Sequence, residues 1–120
     1  MKKRTLVFGA SLKSYRYSNM AINRLVNIGL EVVAFGLKEG EVSEITIDTK
    51  LIFYEDIDTV TIYLNPKRQK DFYNYIVSLN PKRVIFNPGT ENPEFYKLLK
   101  QHDIEFEAAC TLTLLATNQY

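Results

Sequence analysis

The sequence predicts a three-layer α/β/α sandwich built on a doubly wound parallel sheet of about five strands. Two observations support this prediction. Short β-branched or aromatic runs alternate with amphipathic helical patterns, and short turns rich in glycine, proline or asparagine separate them. Parallel strands require such alternation, because a tight hairpin cannot join two neighbouring parallel strands.

The first strand–helix–strand unit lies at the start of the chain. The run TLVFGA at 5–10 is typical of a strand buried on both faces, and LEVVAFGL at 30–37 is similar. Between them, Ser18 is expected to cap a helix that Gly29 ends. The unit indicates two parallel strands joined by a right-handed crossover.

The alternation continues to the end of the chain. Further strand-like runs lie at 59–64, 83–87 and 104–108. Asn65-Pro66 and Asn92-Pro93 each predict a helix start, because asparagine caps a first turn and proline fits the first helical position. The tail at 110–118 predicts one or two helical turns, and 38–57 is expected to hold an extended piece around 45–53.

Length and charge restrict the class of protein. The 120 residues predict a single domain, 1–120, that can bury a hydrophobic core. Lys and Arg number 15 against 14 for Asp and Glu, so no overall charge favours nucleic acid or an anionic membrane as a partner. The longest apolar runs are too short to span a bilayer.

The single cysteine, Cys110, excludes an internal disulfide and a cysteine-based zinc site. Cys110 is either a small buried apolar residue or a thiol near a ligand, and the first role is the commoner one. No apolar leader follows Met1-Lys2-Lys3-Arg4, which predicts a cytoplasmic location.

The loop after the first strand predicts an anion site. In doubly wound folds this loop leads into a helix N-terminus, where backbone N–H groups and the helix dipole favour a phosphate. Here Gly9 allows a sharp turn, and hydroxyl, amide and cationic side chains follow at Ser11, Lys13, Arg16, Ser18 and Asn19.

The loop lacks the two common nucleotide fingerprints. Gly9 is its only glycine, so neither G-x-G-x-x-G nor G-x-x-x-x-G-K-[ST] is present. The acidic residue that binds a ribose after the second strand is also displaced, because Lys38 precedes Glu39 there. A lysine at this place can approach a ribose phosphate.

The order of four segments resembles a known family. The segments are VFGASLKSYRYSNMAINRLVNIGLEVVAFG, LNP at 64–66, FNPGTEN at 86–92 and IEFEAACTLTLL near the end. Together they resemble the small single-domain CoA-binding proteins, whose Rossmann-like fold is also that of the CoA-binding domain of succinyl-CoA synthetase.

The resemblance implies a protein that binds coenzyme A or an acyl-CoA at the carboxyl edge of the sheet, as a non-catalytic or regulatory module. It implies a phosphate-binding loop of Gly9, Ala10, Ser11, Arg16, Tyr17, Ser18 and Asn19. It also implies adenosine contacts from Phe35, Gly36 and Lys38, and pantetheine contacts from Leu64, Asn65 and Pro66. A protein partner or a homodimer would suit such a module.

The sequence offers no catalytic constellation. There is no carboxylate pair, Ser-His-Asp set or metal-ligand cluster, and the single histidine, His102, lies at a predicted helix end. No catalytic or metal-binding residue is therefore predicted. Two alternatives remain, a small NAD(P)-dependent oxidoreductase or another nucleotide-binding Rossmann protein. A phosphoacceptor domain is less suitable, because Leu64-Asn65 stands where its aspartate would be.

Overall fold

The computed structural model describes residues 3–120. Met1 and Lys2, which contribute to the prediction of a cytoplasmic location, lie outside the described residues. Seven strands form one sheet: β1 (Arg4–Ala10), β2 (Glu31–Gly36), β3 (Gly40–Val42), β4 (Ile45–Asp48), β5 (Thr59–Ile62), β6 (Arg83–Phe86) and β7 (Glu105–Ala108). Their order is β3-β4-β2-β1-β5-β6-β7. Every neighbouring pair is parallel except β3 and β4.

The doubly wound α/β prediction is confirmed, but the sheet has seven strands rather than five. The two extra strands are the antiparallel hairpin β3–β4, where the sequence predicted one extended piece at 45–53. Its two-residue turn places Ser43 and Glu44 at φ of +49° and +66°. Hairpin turns with two positive φ values usually carry Asn-Gly or Asp-Gly, so Ser-Glu gave no turn signal.

The helices are α1 (Tyr17–Asn27), α2 (Pro66–Gln69), α3 (Tyr73–Ser78), α4 (Pro93–Gln101) and α5 (Thr111–Ala116), with a 3-10 turn at Lys70–Phe72. Asn65 and Asn92 cap α2 and α4 as predicted, accepting hydrogen bonds from the N–H groups of Arg68 and Phe95. The predicted cap of α1 is wrong, because Arg16 is the N-cap and Ser18 lies inside the helix.

Helices cover both faces of the sheet, which gives the predicted three layers. On one face, Ile22 and Leu25 of α1 pack on Val7 and Ala34, with α5 beside α1. On the other, Ile76 of α3 and residues of α4 pack on the opposite side of the same strands. An aromatic cluster strengthens this second core, in which Phe8 and Phe35 stack 4.8 Å apart and Phe72 meets both edge-on.

Candidate functional site

The carboxyl edge of the sheet contains a topological switch point between β1 and β5. From β1 the chain crosses to β2 on one side, and from β5 it crosses to β6 on the other. Open α/β sheets bind ligands in the crevice at such a point. We call the loops after β1, β2 and β4 the β1 side, and the loops after β5, β6 and β7 the β5 side.

Two glycines allow close packing at the floor of this crevice. Gly9 has φ of +102°, and a Cβ there would lie 3.1 Å from the backbone nitrogen of Leu64. A Cβ on Gly36 would lie 2.4 Å from the carbonyl oxygen of Ala10 and 2.9 Å from Ile47. The ends of β1, β2, β4 and β5 therefore approach one another more closely than side chains at 9 and 36 would permit.

The first loop, residues 11–16, joins β1 to α1 on the β1 side. The hydroxyl of Ser11 accepts from the N–H of Lys13 at 3.1 Å, and the N–H of Arg16 donates to the carbonyl of Lys13 at 3.0 Å. Lys13 and Arg16 are exposed, and the Arg16 guanidinium lies 5.8 Å from the centre of the Tyr15 ring. The loop thus holds two cations beside the start of α1.

The N-terminus of α1 differs from those of α2 and α4. Within residues 3–120, no side chain caps α1 and its first turn carries no acidic residue, whereas asparagines cap the other two helices. The first-turn N–H groups carry the positive end of the helix dipole. With Lys13 and Arg16 nearby, this end of α1 combines an uncapped first turn with two exposed cations, an arrangement that favours an anion.

Ser18 and Asn19 are buried in the first turn of α1, with 4% and 5% of their surfaces exposed. The Asn19 amide donates to the carbonyl oxygen of Ser11 at 2.9 Å, and its oxygen accepts from the amide of Asn23 at 2.9 Å. The side chain predicted to donate to a phosphate is thus engaged in fixing the first loop to α1. Tyr17 is exposed at the first position of the helix.

The other residues implied by the resemblance divide into core and surface positions. The Phe35 ring is 4% exposed and stacks on Phe8, so this side chain cannot reach an adenosine without leaving the core. Leu64 is also buried, against Gly9. Lys38 is exposed after β2, and Asn65 is exposed while capping α2 ahead of Pro66. Lys38 therefore remains available to a ligand on the β1 side.

The β1 side also exposes apolar side chains. Those after β1 are Leu12 and Tyr15, the one after β2 is Leu37, and those after β4 are Leu51, Ile52 and Phe53. The tyrosine hydroxyls of Tyr54 and Tyr75 fix the last group, since they donate to Asp48 and to the carbonyl of Ile52. Cationic and apolar groups together can accommodate a ligand with both anionic and apolar parts.

On the β5 side, Asn87 links three elements by buried hydrogen bonds. Its amide nitrogen donates to Thr61 Oγ1 at 2.7 Å and to the carbonyl of Ile62 at 2.8 Å, and its oxygen accepts from the N–H of Thr111 at 2.9 Å. Thr61 and Thr111 also bond to each other through their hydroxyls at 2.8 Å. Asn87 thus joins β5, β6 and the start of α5.

Gln69 forms a second buried link. Its nitrogen donates to the carbonyls of Leu64 and Thr90, each at 2.8 Å, and its oxygen accepts from Asn92 at 2.8 Å. No sequence pattern indicates this role, because Gln69 lies among charged residues on a helical turn that the pattern predicts to be exposed. Asn87 and Asn92 each precede a proline. This pattern predicts a turn or a helix cap, but it does not predict a buried hydrogen-bond network.

Cys110 is half-buried at the N-cap of α5. Its side chain is therefore less buried than that of the small apolar core residue which was the commoner of its two predicted roles. Burial alone would raise the pKa of the thiol, but the Thr113 hydroxyl and the N–H groups of Thr113 and Leu112 outweigh it, so the pKa lies below its ordinary value. On the same side, burial raises the pKa of the Tyr63 hydroxyl to about 12.

Residues 3–120 lack both a metal-ligand cluster and a membrane-spanning helix. These residues contain no group of three or more His, Cys, Asp or Glu side chains placed to hold a metal ion. None of the helices formed by them is both long enough and apolar enough to cross a membrane.

Solved structures share this architecture. A crystal structure of an uncharacterized protein is 45% identical over 100% of this chain and 99% of its own, with a TM-score of 0.96. A hypothetical protein from Pyrococcus horikoshii OT3 is 22% identical, with a TM-score of 0.86 over 98% of this chain and 84% of its own. At this lower identity the likeness concerns the fold alone.

A multidomain enzyme contains a similar unit. The dinucleotide-forming acetyl-coenzyme A synthetase 1 from Ca. Korarchaeum cryptofilum, in complex with phosphate and ADP, is 12% identical, with a TM-score of 0.73. The match covers 89% of this chain but 25% of the enzyme. A search of curated proteins finds no match.

A family model ties the sequence to this fold. The model described as a CoA binding domain matches residues 3–116, which include all seven strands and the five helices. The match agrees with the resemblance drawn from the four sequence segments. The chain belongs to the family of CoA-binding domains.

Proposed function

We propose that this protein binds coenzyme A or an acyl-CoA in the crevice between the β1 and β5 sides, with the phosphates at the first loop. The single observation that carries this assignment is the N-terminus of α1, which combines an uncapped first turn with exposed Lys13 and Arg16. Coenzyme A is anionic at its nucleotide end. The dipole of α1 and the two cations beside its N-terminus stabilise such an anion.

The direction of the ligand follows from the chemistry of the two sides. The exposed Lys38 and the apolar groups after β2 and β4 suit the 3′-phosphate and the adenosine. The pantetheine then runs from the switch point past Asn65 and Pro66 toward the loops of the β5 side. Gly9, Ala10 and Gly36 act through their backbones at the floor of the crevice.

The chain acts as a non-catalytic or regulatory CoA-binding module in this proposal. The first loop exposes two cations, Lys13 and Arg16, and such groups favour holding an anionic ligand over proton transfer. The proposal assigns the chemistry of the bound thiol or thioester to a partner that receives the ligand.

Equilibrium dialysis or calorimetry with coenzyme A, NADH and NADPH at matched concentrations tests this proposal. We expect coenzyme A to bind and the two nicotinamide dinucleotides to bind far more weakly, because the glycine-rich pyrophosphate turn is missing. Absence of coenzyme A binding at millimolar ligand and low salt would refute it. Preferential binding of NADH or NADPH would favour the oxidoreductase alternative.

A further inference from the structure

The β3–β4 hairpin contacts the first loop at one place and the helix α1 at another. The hairpin was not foreseen as such from the sequence, and the CoA-binding proposal gives it no role. Gly40, at the start of β3, lies against Leu12 of the loop, and Ser43, in the turn, bonds to Asn23 of α1. Val42, between them, is buried against the α1 side of the sheet.

The first contact is apolar and depends on a glycine. A Cβ on Gly40 would lie 2.5 Å from Cδ2 and 2.9 Å from Cδ1 of Leu12, so the Leu12 side chain occupies the space that any other residue at 40 would fill. Gly40 is not among the glycines with positive φ. Its lack of a side chain therefore serves the contact with Leu12 rather than the backbone conformation.

The second contact is a chain of three hydrogen bonds. The Ser43 hydroxyl donates to the side-chain oxygen of Asn23, whose amide donates to the side-chain oxygen of Asn19 at 2.9 Å. The Asn19 amide then donates to the carbonyl oxygen of Ser11 at 2.9 Å. Each member has its partner, so the chain fixes one arrangement of the loop relative to the hairpin.

We propose that the β3–β4 hairpin is a positioning element that holds the first loop in its phosphate-binding conformation, with Gly40 and Ser43 as positioning residues. This inference rests on the proposed function of the first loop. Neither residue touches the ligand. They act through Leu12 and through Asn23 and Asn19, and the loop they hold otherwise consists largely of exposed residues.

The first test measures Gly40→Ala against coenzyme A and against pantetheine, which carries no phosphate. We expect coenzyme A to bind about tenfold more weakly, a loss typical of residues that act through neighbours. Pantetheine binding should hardly change because pantetheine has no phosphate for the loop to contact, and the thermal midpoint should hardly change because the displaced loop is largely exposed. An equal loss for both ligands, or unchanged affinity for both, would overturn the proposal.

A double-mutant cycle with Leu12→Ala identifies the route. Leu12→Ala alone should also weaken coenzyme A binding. Adding Gly40→Ala should then have no further effect, because the side chain that a Cβ at position 40 would displace has been removed. Additive losses would overturn the proposed route. Absence of coenzyme A binding by the wild-type protein would instead refute the proposed function and, with it, this inference.

The polar contact is tested by Ser43→Ala, which keeps the Cβ in the hairpin turn and removes only the hydroxyl. We expect about threefold weaker coenzyme A binding, with pantetheine binding unchanged. The matched control is Ser78→Ala, since the Ser78 hydroxyl is exposed and bonds within its own helix. Equal coenzyme A affinity for Ser43→Ala and the control would overturn the role of Ser43.

Discussion

The β1 and β5 sides of the crevice differ in how their polar groups are satisfied. On the β5 side, Asn87 and Gln69 use their amide groups within the protein, and both are at most 2% exposed. On the β1 side, Lys13, Arg16 and Lys38 are exposed, and α1 starts without a side-chain cap. Asn87 and Gln69 therefore stabilise the fold, whereas Lys13, Arg16 and Lys38 are exposed to solvent.

Because of this difference, a mutation should lower either the free energy of unfolding or the ligand affinity. Mutation of a residue in a binding site often lowers both. Substitutions on the β5 side should lower the free energy of unfolding, because they leave buried polar groups without partners. Substitutions of exposed cations on the β1 side should lower ligand affinity and leave stability unchanged. Gly9 packs against Leu64 of the β5 side and Gly36 against Ala10 of β1 and Ile47 of β4, so substitution of either glycine should affect both quantities.

Gly36→Ala should have the largest effect of the changes considered. Its Cβ would lie 2.4 Å from a backbone oxygen of β1, which cannot move aside as a side-chain end can. We expect the free energy of unfolding to fall by about 3 kcal/mol, measured by urea denaturation, with coenzyme A affinity also reduced. A stability equal to that of the wild type would show that β1 and β2 can separate at little cost.

Asn87→Ala should come next and should act on stability. The change leaves Thr61 Oγ1, the carbonyl of Ile62 and the N–H of Thr111 short of one partner each. We expect a loss of about 2 to 3 kcal/mol in urea denaturation, with coenzyme A affinity of the folded protein little changed. A large loss of affinity with normal stability would place Asn87 at the ligand and remove the contrast between the two sides.

Arg16→Ala should give the opposite result. We expect coenzyme A binding to weaken by about 2 kcal/mol, the value of a charge-assisted hydrogen bond, while the thermal midpoint stays constant. Arg24→Ala is the matched control, since Arg24 is an exposed arginine in the last turn of the same helix. Equal effects of the two substitutions on affinity would indicate general charge attraction rather than a contact at the first loop.

The sequence predicted the parts of the fold that depend on local pattern. The strand runs, the Asn-Pro helix starts and the position of the first loop follow from hydrophobic period and capping chemistry, and the structure confirms them. The β3–β4 hairpin was missed because Ser43-Glu44 adopts a turn that its residue types do not favour. The predicted start of α1 is wrong because Ser18, a residue type that favours the N-cap position, lies inside the helix. Arg16, whose side chain forms no capping hydrogen bond, is at the N-cap.

The site was less predictable, because burial of a side chain depends on distant parts of the chain. Phe35 and Asn19 come next to predicted ligand loops, yet the first stacks in the core and the second bonds to Ser11. Gln69 lies among charged residues in sequence but is buried by contacts with Leu64 and Asn92. Such long-range contacts leave no periodic signal in the sequence.

Cys110 offers the smallest and most specific test, since it is a thiol that lies close to the buried Asn87 network of the β5 side. The thiolate is the form that alkylating agents attack, and the pKa of Cys110 lies below its ordinary value in the folded protein. The rate of iodoacetamide modification should therefore reach half its maximum at a lower pH in the folded chain than in the chain unfolded in urea.

Thr113→Val should move this half-maximum back toward higher pH, because it removes the hydroxyl that stabilises the thiolate while the N–H groups of Thr113 and Leu112 remain. Thr117→Val is the control, as its hydroxyl lies after the last residue of α5 and donates to the carbonyls of Thr113 and Leu114. If Thr113→Val leaves the pH profile unchanged, the hydroxyl does not stabilise the thiolate. An identical pH profile in the folded and unfolded chains would mean that burial raises the pKa of Cys110 as much as these hydrogen bonds lower it. The start of α5 would then not stabilise a thiolate.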